Sequence, residues 1–160
     1  MINGQAAEVM ITEVMLEMGF GIRCPFDTEK MLKLVTNNLN SHYDNALYHI
    51  NYDFGFLDIA PGRFADRCLG CDGFVETEDG DLVSYDVSVN TSNYAINHKY
   101  DVKAATNKVR TLLGLKHHMI VFLTGDVPCK NDLTEDQKWL IVDSVLEGIE
   151  NKKSEIYIKF

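Results

Sequence analysis

CDGFVETEDGDLVSYDVSV (71–89) is the stretch on which the fold turns. Two apolar-polar runs, CDGFVE (71–76) and LVSYDVSV (82–89), flank Glu78-Asp79-Gly80-Asp81, and an Asp-Gly between alternating runs is a strong hairpin signal. In the second run Leu82, Ser84, Asp86 and Ser88 point one way, and Val83, Tyr85, Val87 and Val89 the other. Asp86 therefore stands on the more polar face of a strand, with Asp72 at the start of its neighbour. Acidic residues are depleted in strand interiors and costly if buried unpaired, which marks Asp86 as a functional candidate. An upstream amphipathic helix carries Glu8. Three carboxylates meeting at the end of a sheet make a hard, oxygen-lined site of the kind that takes magnesium, the ion that phosphodiester hydrolysis uses.

Around the hairpin the spacing predicts a helix over 4–18, with Ala6, Val9, Met10, Val14 and Met18 periodic, closed by Gly19 and Gly21. A first strand is expected over Phe20 to Phe26, then a helix capped by Thr28. Residues 41–67 are aromatic and irregular, with Tyr43, Tyr48, Tyr52, Phe54, Phe56, Phe64 and the turn signal Pro61-Gly62, and read as an insertion. A polar stretch from Asn90 to His98 leads to a helix over about Tyr100–Leu113, with Gly114 at its end. His118–Thr124 reads as a buried strand. Thr134 with Gln137 forms a capping box for a last helix, and SEIYIKF closes the chain as a strand. A hairpin followed by a helical crossover predicts a single α/β (α+β) domain over 1–160, a mixed central sheet flanked by helices.

Length and a 46% hydrophobic composition suit one globular domain. The beginning of the chain shows no basic region before an apolar stretch, so no secretory signal is expected, and Met119–Leu123 is too short an apolar run to cross a bilayer. A cytoplasmic, reducing location follows as the expectation, and with it reduced thiols at Cys24, Cys68, Cys71 and Cys129. Cys68-Leu69-Gly70-Cys71 is only half of a zinc-ribbon pattern; a thiol or iron–sulfur site that also gathers Cys24 and Cys129 is the minor alternative to simple burial. His117 and His118 are adjacent on an extended chain, face apart, and are not expected to chelate together. Net charge is −9, yet residues 99–118 hold five Lys/Arg against one Asp. Lys99, Lys103 and Arg110 share roughly one helix face, which suits phosphates as well as it suits an ordinary solvated surface.

The order of elements and carboxylates resembles the PD-(D/E)XK nuclease superfamily, with its restriction-endonuclease-like core of helix, three-strand meander, crossover helix and further strand. Gly4-Gln5-Ala6-Ala7-Glu8 with Gly19-Phe20 is similar to the family's first helix. Cys71-Asp72-Gly73-Phe74-Val75 and Tyr85-Asp86-Val87-Ser88 are similar to its two acidic strands. The similarity covers about residues 4–26 and 71–124. Two positions depart from the pattern: Cys71 stands where the proline would, and Ser88 where the lysine would, so Lys99 or Lys103 from the following helix would have to replace it.

The resemblance implies a magnesium- (or manganese-) dependent DNA endonuclease of homing, restriction or junction-resolving type. Asp72, Asp86 and the Val87 carbonyl would hold the metal, and Glu8 would bind a water ligand or a second ion. Lys103 or Lys99 would orient the attacking water, while Lys108 and Arg110, with Lys99 and Lys103, would hold the phosphates of double-stranded DNA. Cutting both strands implies a homodimer or homotetramer. Plainer readings stand beside each role: a solvated helix carboxylate for Glu8, and a strand-start residue bonded to a backbone amide for Asp72. The competing function is a catalytically inactive protein of the same fold whose acidic surface binds a protein partner.

Overall fold

Alternating strands and amphipathic helices assemble into one four-stranded mixed sheet between two helical layers. The computed structural model describes residues 2–38, 58–89 and 91–160. The helices are α1 (Gly4–Glu17), α2 (Thr28–Asn38), α3 (Pro61–Leu69), α4 (Asn93–Leu112) and α5 (Glu135–Glu150). The strands are β1 (Gly73–Glu76), β2 (Leu82–Ser88), β3 (Leu115–Thr124) and β4 (Glu155–Lys159). Sheet order is β1-β2-β3-β4, with β1 antiparallel to β2 and the other two pairs parallel. The fold class is thus α/β, as the hairpin and crossover pattern predicts.

The hairpin forms where Asp79-Gly80 places it: Gly80 adopts φ +82° and donates to the Thr77 carbonyl at 2.9 Å. Side-chain alternation along β2 then separates two interiors. Tyr85 and Val87 join Met119, Val121 and Ile156 under α1 and α5, whereas Phe74 packs with α2, α3 and α4. Asp86 belongs to the second side and is 4% exposed. Ser84 on the same side pairs with buried His118, Oγ to Nδ1 at 2.7 Å. His117 lies on the opposite face and donates from Nε2 to the Lys153 carbonyl at 2.6 Å, so the two imidazoles do face apart.

Four expectations need correction. Phe20 to Phe26 is not a strand; a single bridge joins Ile22 to Phe74, because Gly21 folds back so tightly that a Cβ there would lie 2.9 Å from that of Met15. Asp27, not Thr28, caps α2, accepting from the Lys30 amide at 2.7 Å, while the Thr28 hydroxyl donates to the Ile59 carbonyl. The irregular insertion gives way at its end to α3, with Pro61 in its first turn and Phe64 buried; Tyr43, Tyr48, Tyr52, Phe54 and Phe56 lie outside the described residues. The polar stretch before Tyr100 is helical from Asn93, capped by Ser92, whose Oγ accepts from the Ala95 amide at 3.2 Å. Thr134 and Gln137 do form the expected capping box on α5.

Gly73 has a steric role next to Asp72. It pairs with Tyr85 across the hairpin, and a Cβ at Gly73 would come within 2.2 Å of the Tyr85 ring and hydroxyl. Overpacking of this kind costs about 1–3 kcal/mol. Gly73→Ala is expected to lower unfolding free energy by that amount in urea titration; an unchanged midpoint would contradict the packing described here.

Candidate functional site

Five elements deliver charge to one end of the sheet. α1 supplies Glu8, α3 supplies Asp66, the turn after α3 supplies Asp72, β2 supplies Asp86, and α4 supplies Lys99. The turn is set by Gly70, which ends α3 at φ +64° and lets the Cys71 amide reach back to the Ala65 carbonyl at 3.1 Å. A side chain at Gly70 would meet Val102 of α4 at 2.9 Å, so glycine also permits the close approach of α3 and α4. Asp72 follows directly. Its amide donates to the Tyr85 carbonyl at 2.8 Å, and its Oδ2 accepts from the Val87 amide at 2.7 Å. The backbone-bonded role considered for Asp72 is therefore real, and it fixes the carboxylate at the mouth of the sheet.

Asp86 meets Lys99. The ammonium lies 2.7 Å from Asp86 Oδ1 and 3.4 Å from the Val87 carbonyl, with Asp86 almost fully buried and Lys99 partly so. Glu8, Asp66 and Asp72 complete the cluster: one carboxylate oxygen from each lies within 4.8 Å of the others, the one such group of potential metal ligands among the described residues. The expected metal set was Asp72, Asp86, Val87 and Glu8. The geometry brings Glu8 and Asp72 together and adds Asp66, keeps Asp86 beside Asp72, and commits one oxygen of Asp86 to Lys99.

Crowded carboxylates resist ionising together. Burial, then repulsion from Asp66, lifts Glu8 from 4.5 to about 7, with Lys99 pulling the other way. Burial and then Asp86 raise Asp72 well above the ordinary carboxylate range. For Lys99 burial works against the charge, but Asp86, Asp72 and Glu8 outweigh it and the pKa rises. The oxygen-only donor set fits a hard divalent cation such as magnesium or manganese, which Glu8, Asp66 and Asp72 could hold.

The other predicted residues fall elsewhere. Lys103 turns away from the carboxylates, its Nζ donating to the Ser154 carbonyl at 3.3 Å. Arg110 is buried at 3% exposure and bonds the Thr106 hydroxyl and, at 2.8 Å, the Lys103 carbonyl, so it secures α4 and is not placed to hold an external phosphate. Lys108 is exposed on α4. Cys68 and Cys71 are buried free thiols, each pushed up to about 12 by burial. Cys24 packs in the same layer, whereas Cys129 is exposed next to Lys130, which ion-pairs with Glu13 of α1 across the sheet, so the four do not gather into a thiolate site. Asp66 escaped the sequence reading because it lies inside the stretch taken as irregular. The apolar spacing Phe64, Ala65, Cys68, Leu69 between Pro61 and Gly70 is the helical signal that would have found it.

Comparison of the chain with protein-family models, with curated proteins and with solved structures returns no match. Among the described residues no helix is long and apolar enough to cross a membrane.

Glu8 gives the site a pH signature. Its folded pKa of about 7 exceeds the ordinary 4.5, so the folded state holds the proton more tightly and loses stability as pH rises through that interval. Glu8→Gln is expected to match the parent near about pH 4 and to melt higher near about pH 8, by a modest margin because the carboxylate is half-exposed and screened. Thermal melts across pH check this; parallel profiles for the two proteins would refute it.

Proposed function

We propose that this chain is a divalent-metal-dependent DNA endonuclease that hydrolyses phosphodiester bonds, of homing, restriction or junction-resolving type, as its likeness to PD-(D/E)XK nucleases implies. The observation that carries the reading is the placement of Lys99 on Asp86 and the Val87 carbonyl, beside Glu8, Asp66 and Asp72. On this reading Lys99 would take the part of the lysine that Ser88 replaces. A bound magnesium or manganese ion would supply Lewis-acid polarisation and offset charge on the phosphate.

The chain's own groups account for the rest of the chemistry. Glu8, with Asp66 and Asp72, would help hold that ion, and the attacking water would give up its proton to solvent. Lys99 keeps its charge and can donate to the water or to a non-bridging phosphate oxygen as negative charge develops there. Asp86 holds the Lys99 ammonium, and the Val87 amide holds Asp72. The water oxygen bonds to phosphorus, one phosphorus–ester oxygen bond breaks, and the departing alkoxide takes a proton from solvent. Double-stranded DNA as substrate, a homodimer or homotetramer, and a cytoplasmic location belong to this reading.

A second reading has its own support. The net charge of −9 and the closed Lys99–Asp86 ion pair suit an inactive fold that binds a basic protein partner. Supercoiled plasmid incubated with magnesium or manganese separates the two. Nicked or linear product is expected, lost by roughly 100-fold or more in Asp86→Ala and Lys99→Ala. Plasmid left intact across metals and DNA substrates would exclude the enzyme and leave the binding module.

A further inference from the structure

A positive charge already sits at the acidic end of the sheet. Lys99 Nζ lies 2.7 Å from Asp86 Oδ1 and 3.4 Å from the Val87 carbonyl. A carboxylate oxygen beside a backbone carbonyl is also a ligand pair that hard divalent ions accept. The ammonium feels more than Asp86: burial alone would discharge Lys99, and Asp86, Asp72 and Glu8 together keep it charged. Glu8 and Asp72 are two of the three carboxylates that could hold a metal ion. Lysine and metal therefore draw on the same oxygens, and two cations at such short range repel each other.

Two further observations bear on an exchange between them. The Lys99 side chain is 23% exposed against 5% for Asp86, so its flexible four-carbon stem can carry the charge out to solvent without opening the core. The other observation concerns Tyr85, which is 1% exposed. Its hydroxyl lies over Gly73, next to Asp72, and has no hydrogen-bond partner among the described residues. Thr12 of α1 stands beside it but donates its own proton to the Glu8 carbonyl. Buried hydroxyls are ordinarily satisfied. A water carried by an ion on Asp72 would satisfy this one, which an ammonium seated on Asp86 does not.

We infer that Lys99 is a built-in counter-ion that a divalent cation displaces, the ion settling on Glu8, Asp66 and Asp72 while the ammonium swings toward solvent. Asp86 Oδ1 and the Val87 carbonyl are freed by the same movement. The inference rests on the cation site of the reading above, but not on hydrolysis. Lys99 thereby weakens metal binding, and its charge is released to meet a phosphate oxygen only once the metal has entered. Metal loading is then the switch that sets the lysine free.

Manganese titration, followed by the EPR signal of the free ion, tests it on the parent chain, Lys99→Gln and Lys103→Gln. Lys99→Gln is expected to bind manganese roughly 10-fold or more tightly, because the competing charge is gone. Lys103→Gln, whose parent ammonium sits on the Ser154 carbonyl, should stay within about 2-fold. Thermal melts verify that each variant folds. The parent chain supplies a second measurement that needs no variant: labelling of lysines with acetic anhydride, read by mass spectrometry. Manganese is expected to speed the labelling of Lys99 and to leave Lys103 unchanged. Folded Lys99→Gln binding no tighter than the parent, Lys99 labelled no faster with the ion, or no manganese bound by either chain, each overturns the displacement. Both expected results with plasmid left intact by the parent keep the exchange and remove the nuclease reading; cleavage with Lys99 unmoved does the reverse.

Discussion

The contact between Lys99 and Asp86 is the constraint on which the acidic end of the sheet depends. Glu8, Asp66, Asp72 and Asp86 converge there, and two of them are held well above their ordinary pKa by burial and mutual repulsion. The Lys99 ammonium, 2.7 Å from the most deeply buried of the four, opposes that repulsion, and Arg67 also favours ionised Glu8. Deleting one partner of a buried pair leaves an uncompensated charge that typically costs about 3–5 kcal/mol.

Val87 connects this charge to the core. Its side chain packs beneath α1, while its amide and carbonyl face the carboxylate cluster, bonding Asp72 and Lys99. Strand alternation makes that division possible, because one residue presents a side chain to one layer and its neighbour's carboxylate to the other. The helix that covers Val87 is the same one that brings Glu8, so packing and site geometry are set together.

Much of this was legible in the sequence. The Asp-Gly turn and the alternation of 82–89 place Asp86 opposite Val87, and the crossover pattern gives the mixed sheet. The Thr134–Gln137 box marks the start of α5 because both halves of its signal are local. What escaped the reading depended on distant contacts. Which of Lys99 and Lys103 meets Asp86 is decided by the roll of α4 over β2, since both lie on neighbouring parts of one face. Arg110 looks like a surface cation by spacing but buries its guanidinium against its own helix. Asp66 was hidden by the aromatic composition that precedes it, which masks the helical spacing of the nine residues from Pro61 to Leu69.

The sheet's outer margin has a further consequence. β4 is only five residues long, with Glu155 at its beginning and Lys159 at its end, and among the described residues it pairs on one side alone. Short borders carrying opposite charges resist the addition of another flat strand, which would have to bury both. This margin of the sheet is consequently a poor template for a strand from another copy of the chain.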